Sequence, residues 1–321
     1  MPLRSCIERI CNDHYQFILT IALLNFKKMK LTKILFPAVA VVVALSFVKC
    51  DYVEDPETMP TVAAFDTTKR IALVEEWTGH TCIACPAAAR LIDTLKTIYE
   101  ERFVAISIHD GFFAMSPPFA MPGCGTGHPN AFTSDFECPT AASYTSAHSS
   151  GPNSPPQGMV NRLGMAANNE IKPRGLWAGL VDSIVQTDAI CSIHIDRTYN
   201  SSSRAVTATV RGTWLMTHAN NLNIAIMLTE SGMVGWQTDG TNCDSQFVFK
   251  DVLRECLNTP GSITGTALTT APTVPGTTYS YSLPSAYTLP AGFNEAGCHL
   301  VAIIYDTVTG EVMQAWEEHL Q

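Results

Sequence analysis

Leu73-Val74-Glu75-Glu76-Trp77-Thr78-Gly79-His80-Thr81-Cys82-Ile83-Ala84-Cys85-Pro86 is the stretch whose reading decides the fold. The run Arg70 to Trp77 is mostly apolar and ends in Thr78-Gly79-His80-Thr81, the pattern of a buried strand meeting a turn. From Ala84 the period changes. Ala88, Leu91, Ile92, Leu95 and Ile98 recur at helical spacing through Tyr99, with Thr81 available as a cap and Pro86 tolerated in the first turn. The next apolar run, Phe103 to His109, reads as a second buried strand, so strand, helix and strand form a βαβ unit with an expected right-handed crossover.

This spacing sets Cys82 at the N-terminus of the helix and Cys85 one turn further in. Unpaired N–H groups and the helix dipole stabilise a thiolate there, which makes Cys82 the expected attacking sulfur and Cys85 the resolving one. Two other readings stand beside this one. The pair could be a purely structural disulfide, or half of a zinc site, although no second CxxC or close His pair completes four ligands. Neither a metal nor a cofactor is expected. His80 and His109, on the turns flanking the pair, either tune the thiolate or are hydrogen-bonded structural histidines.

Working outward toward the N-terminus, Lys27, Lys28, Lys30 and Lys33 precede the apolar run Ile34 to Val48, which ends at Cys50. Charge, apolar stretch and cysteine in that order read as a secretion signal. The run is about 15 residues, shorter than the roughly 20 of a membrane span, which favours a cleaved or lipidated signal over a signal anchor. Met29 opens a conventional signal and is the expected true start. Ala44 to Cys50 resembles a lipoprotein signal whose cysteine is acylated, with Lys49 standing where a small residue is usual. Asp51 to Pro60 is acidic and proline-containing, the composition of a solvated tether. The chain of 321 residues carries a net charge of -9, and its body lacks the clustered Lys and Arg that a nucleic-acid partner requires.

Beyond the leader an exported chain retains Cys82, Cys85, Cys124, Cys138, Cys191, Cys243, Cys256 and Cys298, in a compartment where thiols oxidise and stay oxidised. Pairing does not follow from sequence. Cys124 with Cys138, and Cys243 with Cys256, would each close a loop of about 14 residues, worth on the order of 3 kcal/mol in chain entropy. Buried free cysteines acting as small hydrophobes are the alternative. Between His109 and Pro156 lies an insertion rich in Gly, Pro, Ser and Thr, far longer than an ordinary connection. Cys124 and Cys138 within it suggest a stapled cap over the active-site edge, with Thr140 to His148 a short helix; such a lid would restrict substrates or bury the CxxC. Arg174 to Gln186 reads as a further helix packing on the sheet.

After Asp188 the texture changes to alternation with Thr and Val enrichment. Cys191–Ile195, Ala205–Val210, Leu222–Leu228, Tyr279–Leu283, His299–Tyr305 and Val312–Trp316 read as half-buried antiparallel strands, with Asp306 to Gly310 as the final hairpin turn. A β-sandwich closes such a set. No catalytic constellation occurs there, and Trp236, Phe247 and Phe249 are either core or a contact surface.

Leu73 to Ala88 resembles the opening of thioredoxin-like outer-membrane lipoproteins of Bacteroidetes, the twenty-eight-kilodalton outer-membrane-protein-related family. Ser107-Ile108-His109-Asp110-Gly111, Ser154-Pro155-Pro156-Gln157-Gly158-Met159-Val160-Asn161-Arg162, Val252-Leu253-Arg254 and Gly310 to Ala315 extend the resemblance over most of Lys69 to Gln321. It implies a thioredoxin-like domain in which a cis-proline facing the disulfide precedes the third strand; Pro156 fills that place and Pro155 is its rival. It also implies a buried acid that helps to move the resolving thiol's proton. Glu75 or Glu76 occupies that position, and Glu75 is the one assigned here; a solvated strand-end carboxylate is the alternative. Thr81 stands where thioredoxins usually carry Trp, a departure that bears on redox turnover.

The expected organisation is therefore a leader and signal over 1–49, a tether over 50–68, an α/β thioredoxin-like domain over 69–187 with an insertion at 111–153, and an all-β sandwich over 188–321. The expected activity is thiol–disulfide exchange with exported protein thiols or disulfides, at the outer membrane, through a lipid on Cys50. The alternative is a non-enzymatic surface protein that binds an envelope or host protein and keeps the fold as a scaffold.

Overall fold

In a computed structural model, residues 68–148 and 154–321 are described; the leader, Met29, Cys50, the tether up to residue 67 and residues 149–153 of the insertion lie outside them. β1 (Ala72–Thr78) and β2 (Phe103–His109) are buried along almost their whole length. Strands apolar on both faces belong at the centre of a covered sheet, and these two pair in parallel, from Ala72 opposite Phe103 to Thr78 opposite His109. Between them α1 (Cys85–Tyr99) turns Ala88, Ile92 and Leu95 onto Ala72, Val74, Phe103 and Ala105. Its N-cap is Ala84, without a side-chain bond. Thr81, the expected cap, donates its hydroxyl to the Phe113 carbonyl instead, at 3.1 Å.

α2 (Pro139–Ala147) covers the opposite face. Its Ala141 and Tyr144 pack with Leu73, Trp77, Val104 and Ile106. β3 (Gln157–Val160) then runs antiparallel to β1, and β4 (Lys172–Pro173) antiparallel to β3. α3 (Trp177–Val185) returns to the α1 face, where Trp177, Val181 and Ile184 join the same core.

The remaining elements are strands: β5 (His194–Asn200), β6 (Ala205–Thr213), β7 (Leu222–Glu230), β8 (Met233–Asp239), β9 (Asn242–Phe249), β10 (Val252–Cys256), β11 (Thr266–Thr269), β12 (Thr278–Ser282), β13 (Tyr287–Thr288), β14 (Cys298–Asp306) and β15 (Val312–His319). The described chain is thus mixed α/β and mostly strand. One nine-stranded sheet has the order β15-β14-β7-β10-β2-β1-β3-β4, with β11 also on β7. A four-stranded sheet, β12-β6-β13 with β5 on β6, covers part of it, and β8 and β9 form a separate hairpin.

The expected boundary at residue 188 does not separate two sheets. β10 pairs in parallel with β2 through Val252 opposite Ser107, so β7, β10, β14 and β15 continue the sheet begun by β1 to β3. The reason lies in β7 and β14, which are buried on both faces. Ile224, Ile226, Leu228, Leu300, Ala302 and Ile304 face the small sheet, packing on Ile195, Val206 and Val210. Ala225, Met227, Val301 and Ile303 point the other way and share a core with Leu73, Ile106 and Tyr144. A sandwich does form, but one of its layers is the C-terminal half of the large sheet. The run Leu222-Asn223-Ile224-Ala225-Ile226-Met227-Leu228, read as half-buried, is the near-continuous apolar pattern of a strand covered twice. Among the described residues no helix is long and apolar enough to cross a membrane.

Candidate functional site

Cys82 and Cys85 are joined in a disulfide with Cα atoms 5.5 Å apart. Cys85 is the first residue of α1, and Cys82 lies in the turn that feeds it, its N–H bonded to the Gly79 carbonyl. The positive end of the helix therefore faces the pair, the field that favours a thiolate when the bond is opened. The Pro155–Pro156 peptide is cis, Pro156 leads directly into β3, and the Pro155 carbonyl oxygen lies 3.6 Å from Cys82 Sγ. The fold thus gathers Cys82, Cys85 and Pro156 at one place.

Glu75 is not part of it. Successive residues of a strand face opposite sides of the sheet, and Glu75 lies on the α2 side. There Arg162 binds it from Nη2 at 2.6 Å and from Nε at 2.9 Å, and the Tyr144 hydroxyl donates at 2.6 Å. Burial opposes its ionisation, but Arg162, Tyr144 and the more distant His148 outweigh burial and hold the carboxyl below its usual range. Glu75 is accordingly a paired structural carboxylate rather than a proton acceptor for Cys85.

Its neighbour Glu76 faces α1 and takes the place assigned to Glu75. Together with Cys85, Ser107, His109, Gln237 and Asp251 it lines a cavity of about 220 Å³ between α1 and the β8–β9 hairpin. Glu76 stands opposite Ser107 across the β1–β2 ladder and accepts its hydroxyl at 3.2 Å, while its second oxygen has no partner. Burial pushes its carboxyl up to about 8, with the Asp251 carboxylate adding to the rise and the Ser107 bond opposing it. His109, two residues along the same face of β2, is wedged between Phe136 and Phe249 with neither ring nitrogen bonded. Burial, then the charges of His80 and Arg254, push it down to about 3, so it stays neutral at physiological pH. His80 is tied by its Nε2 to the Met115 carbonyl at 2.9 Å, and its role is to hold the insertion.

Both cysteines are covered: Cys82 and Cys85 are each 2% exposed. The insertion lies on one side, with the Phe113 carbonyl accepting from the Thr81 N–H at 3.1 Å. Gly79 is required there, because a Cβ at that position would run into the Phe113 carbonyl. The β8–β9 hairpin lies on the other. Gln237 Nε2 donates to the Cys82 carbonyl at 3.1 Å and reaches the Gly79 carbonyl at 3.3 Å. The Thr238 N–H bonds the His80 carbonyl at 2.9 Å and the Gly240 N–H the Ile83 carbonyl at 3.1 Å. The sequence reading missed this hairpin. Asp239-Gly240-Thr241-Asn242, with Gly240 at φ 61, carries the two-residue turn signal that would have revealed it.

The remaining cysteines pair differently from expectation. Cys124 of the insertion joins Cys243 of β9, across 119 residues. Cys138, Cys191, Cys256 and Cys298 are free thiols, which corrects both short-loop pairings. Cys138 Sγ instead caps α2 by accepting the Ala141 N–H at 3.4 Å, and Cys256 Sγ lies 3.1 Å from the Thr259 hydroxyl. Trp236 packs on His128 and Phe132, and Phe249 on Phe136, so these aromatics seal the hairpin against the insertion. Among the described residues no group of three or more His, Cys, Asp or Glu is placed to hold a metal ion.

Among solved structures the chain is similar to HBP35 of Porphyromonas gingivalis, at 16% identity and a TM-score of 0.56, over 79% of this chain and 76% of that one. That likeness speaks to fold alone. A domain of the outer membrane lipoprotein Omp28 from Porphyromonas gingivalis aligns at 20% identity and a TM-score of 0.26, over 41% of this chain and 89% of that one. No curated protein matches the chain. The profile of the family described as outer membrane protein Omp28 matches residues 143–320, beginning past the CxxC. That match covers more than half of the sequence, and the chain therefore belongs to the Omp28 family and is an outer-membrane protein.

Proposed function

We propose that this protein is a lipid-anchored thiol–disulfide oxidoreductase of the envelope, acting on exported proteins through Cys82 and Cys85 in a thioredoxin-like unit. The observation that carries the reading is the Cys82–Cys85 disulfide at the start of α1, with the Pro155–Pro156 turn against Cys82 and the unpaired Glu76 oxygen in the cavity that Cys85 lines. In the reducing direction the Cys82 thiolate attacks a client disulfide, giving a mixed disulfide and releasing one client thiolate. Cys85 then attacks Cys82 Sγ, which frees the second client thiolate and leaves Cys82–Cys85 oxidised. Glu76, ionised in part near neutral pH, takes the Cys85 proton as that thiol becomes the nucleophile. Lipidation at Cys50 places the unit at the membrane surface, on the tether that follows.

The second reading, a non-enzymatic protein that binds an envelope or host partner, is favoured by one observation, the near-complete burial of both cysteines. Trapping separates the two. A Cys85→Ser variant expressed in the envelope should accumulate mixed disulfides at Cys82, identified by mass spectrometry, and the native pair should exchange with a dithiothreitol redox buffer. Absence of adducts, together with a pair inert to that buffer, would reject the oxidoreductase.

A further inference from the structure

The hairpin that covers Cys82 is tied down by a second disulfide. Four hydrogen bonds from Gln237, Thr238 and Gly240 hold the carbonyls of Gly79, His80, Cys82 and Ile83, so β8 and its turn clamp the whole CxxC loop. At its root the hairpin is held by the Phe136, Phe249 and Val252 cluster. Toward its tip it is held by Cys243, one residue past the start of β9, bonded to Cys124 of the insertion. The insertion is in turn bonded to the far side of the same loop through Phe113 and Met115. Insertion, loop and hairpin thus form a closed ring around Cys82, with the Cys124–Cys243 bond as its only covalent link between insertion and hairpin among the described residues.

Exchange requires a sulfur to approach Cys82 Sγ along the S–S axis, and a residue only 2% exposed leaves little room for that approach. Cys124 and Cys243 are only half-buried, so they are open to a reductant while Cys82 and Cys85 are not. We propose that the Cys124–Cys243 disulfide is a redox latch: intact, it holds the β8–β9 hairpin closed over Cys82; reduced, it releases the hairpin and exposes the CxxC. The reductant is a dithiol. One of its thiolates attacks Cys124 or Cys243, breaking the bond and forming a mixed disulfide, and its second thiol displaces the cysteine. Two electrons and two protons pass to the Cys124 and Cys243 thiols, and the dithiol leaves as a disulfide. The consequence for activity rests on the reading of Cys82 as the reacting sulfur; the gating itself does not.

Dithiothreitol serves as the probe on the full chain, with alkylation quenching and peptide mapping to follow each disulfide in time. In the native protein Cys124–Cys243 should disappear first and Cys82–Cys85 after a lag. In Cys124→Ser/Cys243→Ser, Cys82–Cys85 should reduce without a lag and at least tenfold faster, and the Thr238 and Gly240 amides should exchange hydrogen at least tenfold faster. Reduction of Cys82–Cys85 before Cys124–Cys243 in the native chain, or equal rates in the two proteins, would overturn the latch. Should the serine pair fail to fold, the order of reduction in the native chain decides alone. Because dithiothreitol replaces any client, failure of Cys85→Ser to trap clients in the Cys124→Ser/Cys243→Ser background, where the latch is absent, would remove the oxidoreductase reading and leave this result intact.

Discussion

Replacing Glu76 by Gln keeps its shape and removes its charge, and the expected effect depends on pH in a direction fixed by burial. In the fold the carboxyl ionises at about 8, against an ordinary value of 4.5. The folded chain therefore binds the proton more tightly than the unfolded chain. The stability due to protonated Glu76 is fully present below pH 4.5 and is lost as pH rises through 8. At 1.36 kcal/mol per pH unit the loss between pH 5 and pH 9 amounts to about 4 kcal/mol. Glu76→Gln cannot ionise, so its urea-unfolding free energy minus that of the native protein should rise by about that amount over the same range. Difference curves that stay flat, within about 1 kcal/mol, would refute the assignment of a neutral buried carboxyl. The same substitution bears on chemistry. Release of client from a Cys82 mixed disulfide should quicken with pH through about 8 in the native protein, and that rise should be missing in Glu76→Gln.

Three other outcomes follow from the structure. Arg162→Met strands the fully buried Glu75 carboxylate without its partner and should cost about 3 to 5 kcal/mol by denaturant unfolding; adding Glu75→Gln should recover much of it, and a single-variant cost below about 1 kcal/mol would contradict the pairing. Burial pushes the Cys138 thiol up to about 11 and the Cys191 and Cys298 thiols up to about 12, so in the native protein iodoacetamide at pH 8 should leave these three unmodified and label them only after denaturation. Gly79→Val forces a side chain into the Phe113 backbone, and should loosen the insertion enough to speed exchange of the Thr81 amide, with unchanged protection arguing against that contact.

How much of this was legible in the sequence depends on the distance between partners. The β1–α1–β2 unit could be read because its signals are local: the apolar runs, the change of period at Ala84 and the CxxC all fall within residues 70–109, and the observed bounds lie close to the expected ones. α2, α3 and the principal C-terminal strands were likewise visible from their own spacing. The joining of the two halves into one sheet was not, because it depends on the pairing of Val252 with Ser107, residues whose side chains carry no mark of each other. Glu75 was chosen over Glu76 for a related reason. A one-residue step on a strand reverses the face, and only the observed packing of Val74 on α1 shows which parity meets Cys85.

The cover over Cys82 is where sequence reading reached its limit, and the reason is physical. A lid was expected from the length of the insertion, and Cys124 was assigned to its staple. Nearness in sequence then suggested Cys138 as the partner, but loop-closure entropy varies only slowly with loop length, so it discriminates weakly between a short and a long pairing. What the fold adds is where it places each sulfur. Cys138 caps α2, and Cys256 sits against Asn258 and Thr259. Cys243 is carried to Cys124 by a hairpin whose other edge must satisfy the carbonyls of the CxxC loop. Buried backbone acceptors require partners: the His80 and Ile83 carbonyls take theirs from Thr238 and Gly240, and those of Gly79 and Cys82, already bonded inside the turn, take a second donor from Gln237. Gln237 lies 155 residues from Cys82. The exposed-site chemistry implied by the CxxC and the closed site in the fold are therefore two consequences of one turn: it presents Cys82 at the end of α1, and its carbonyls bind the hairpin that covers it.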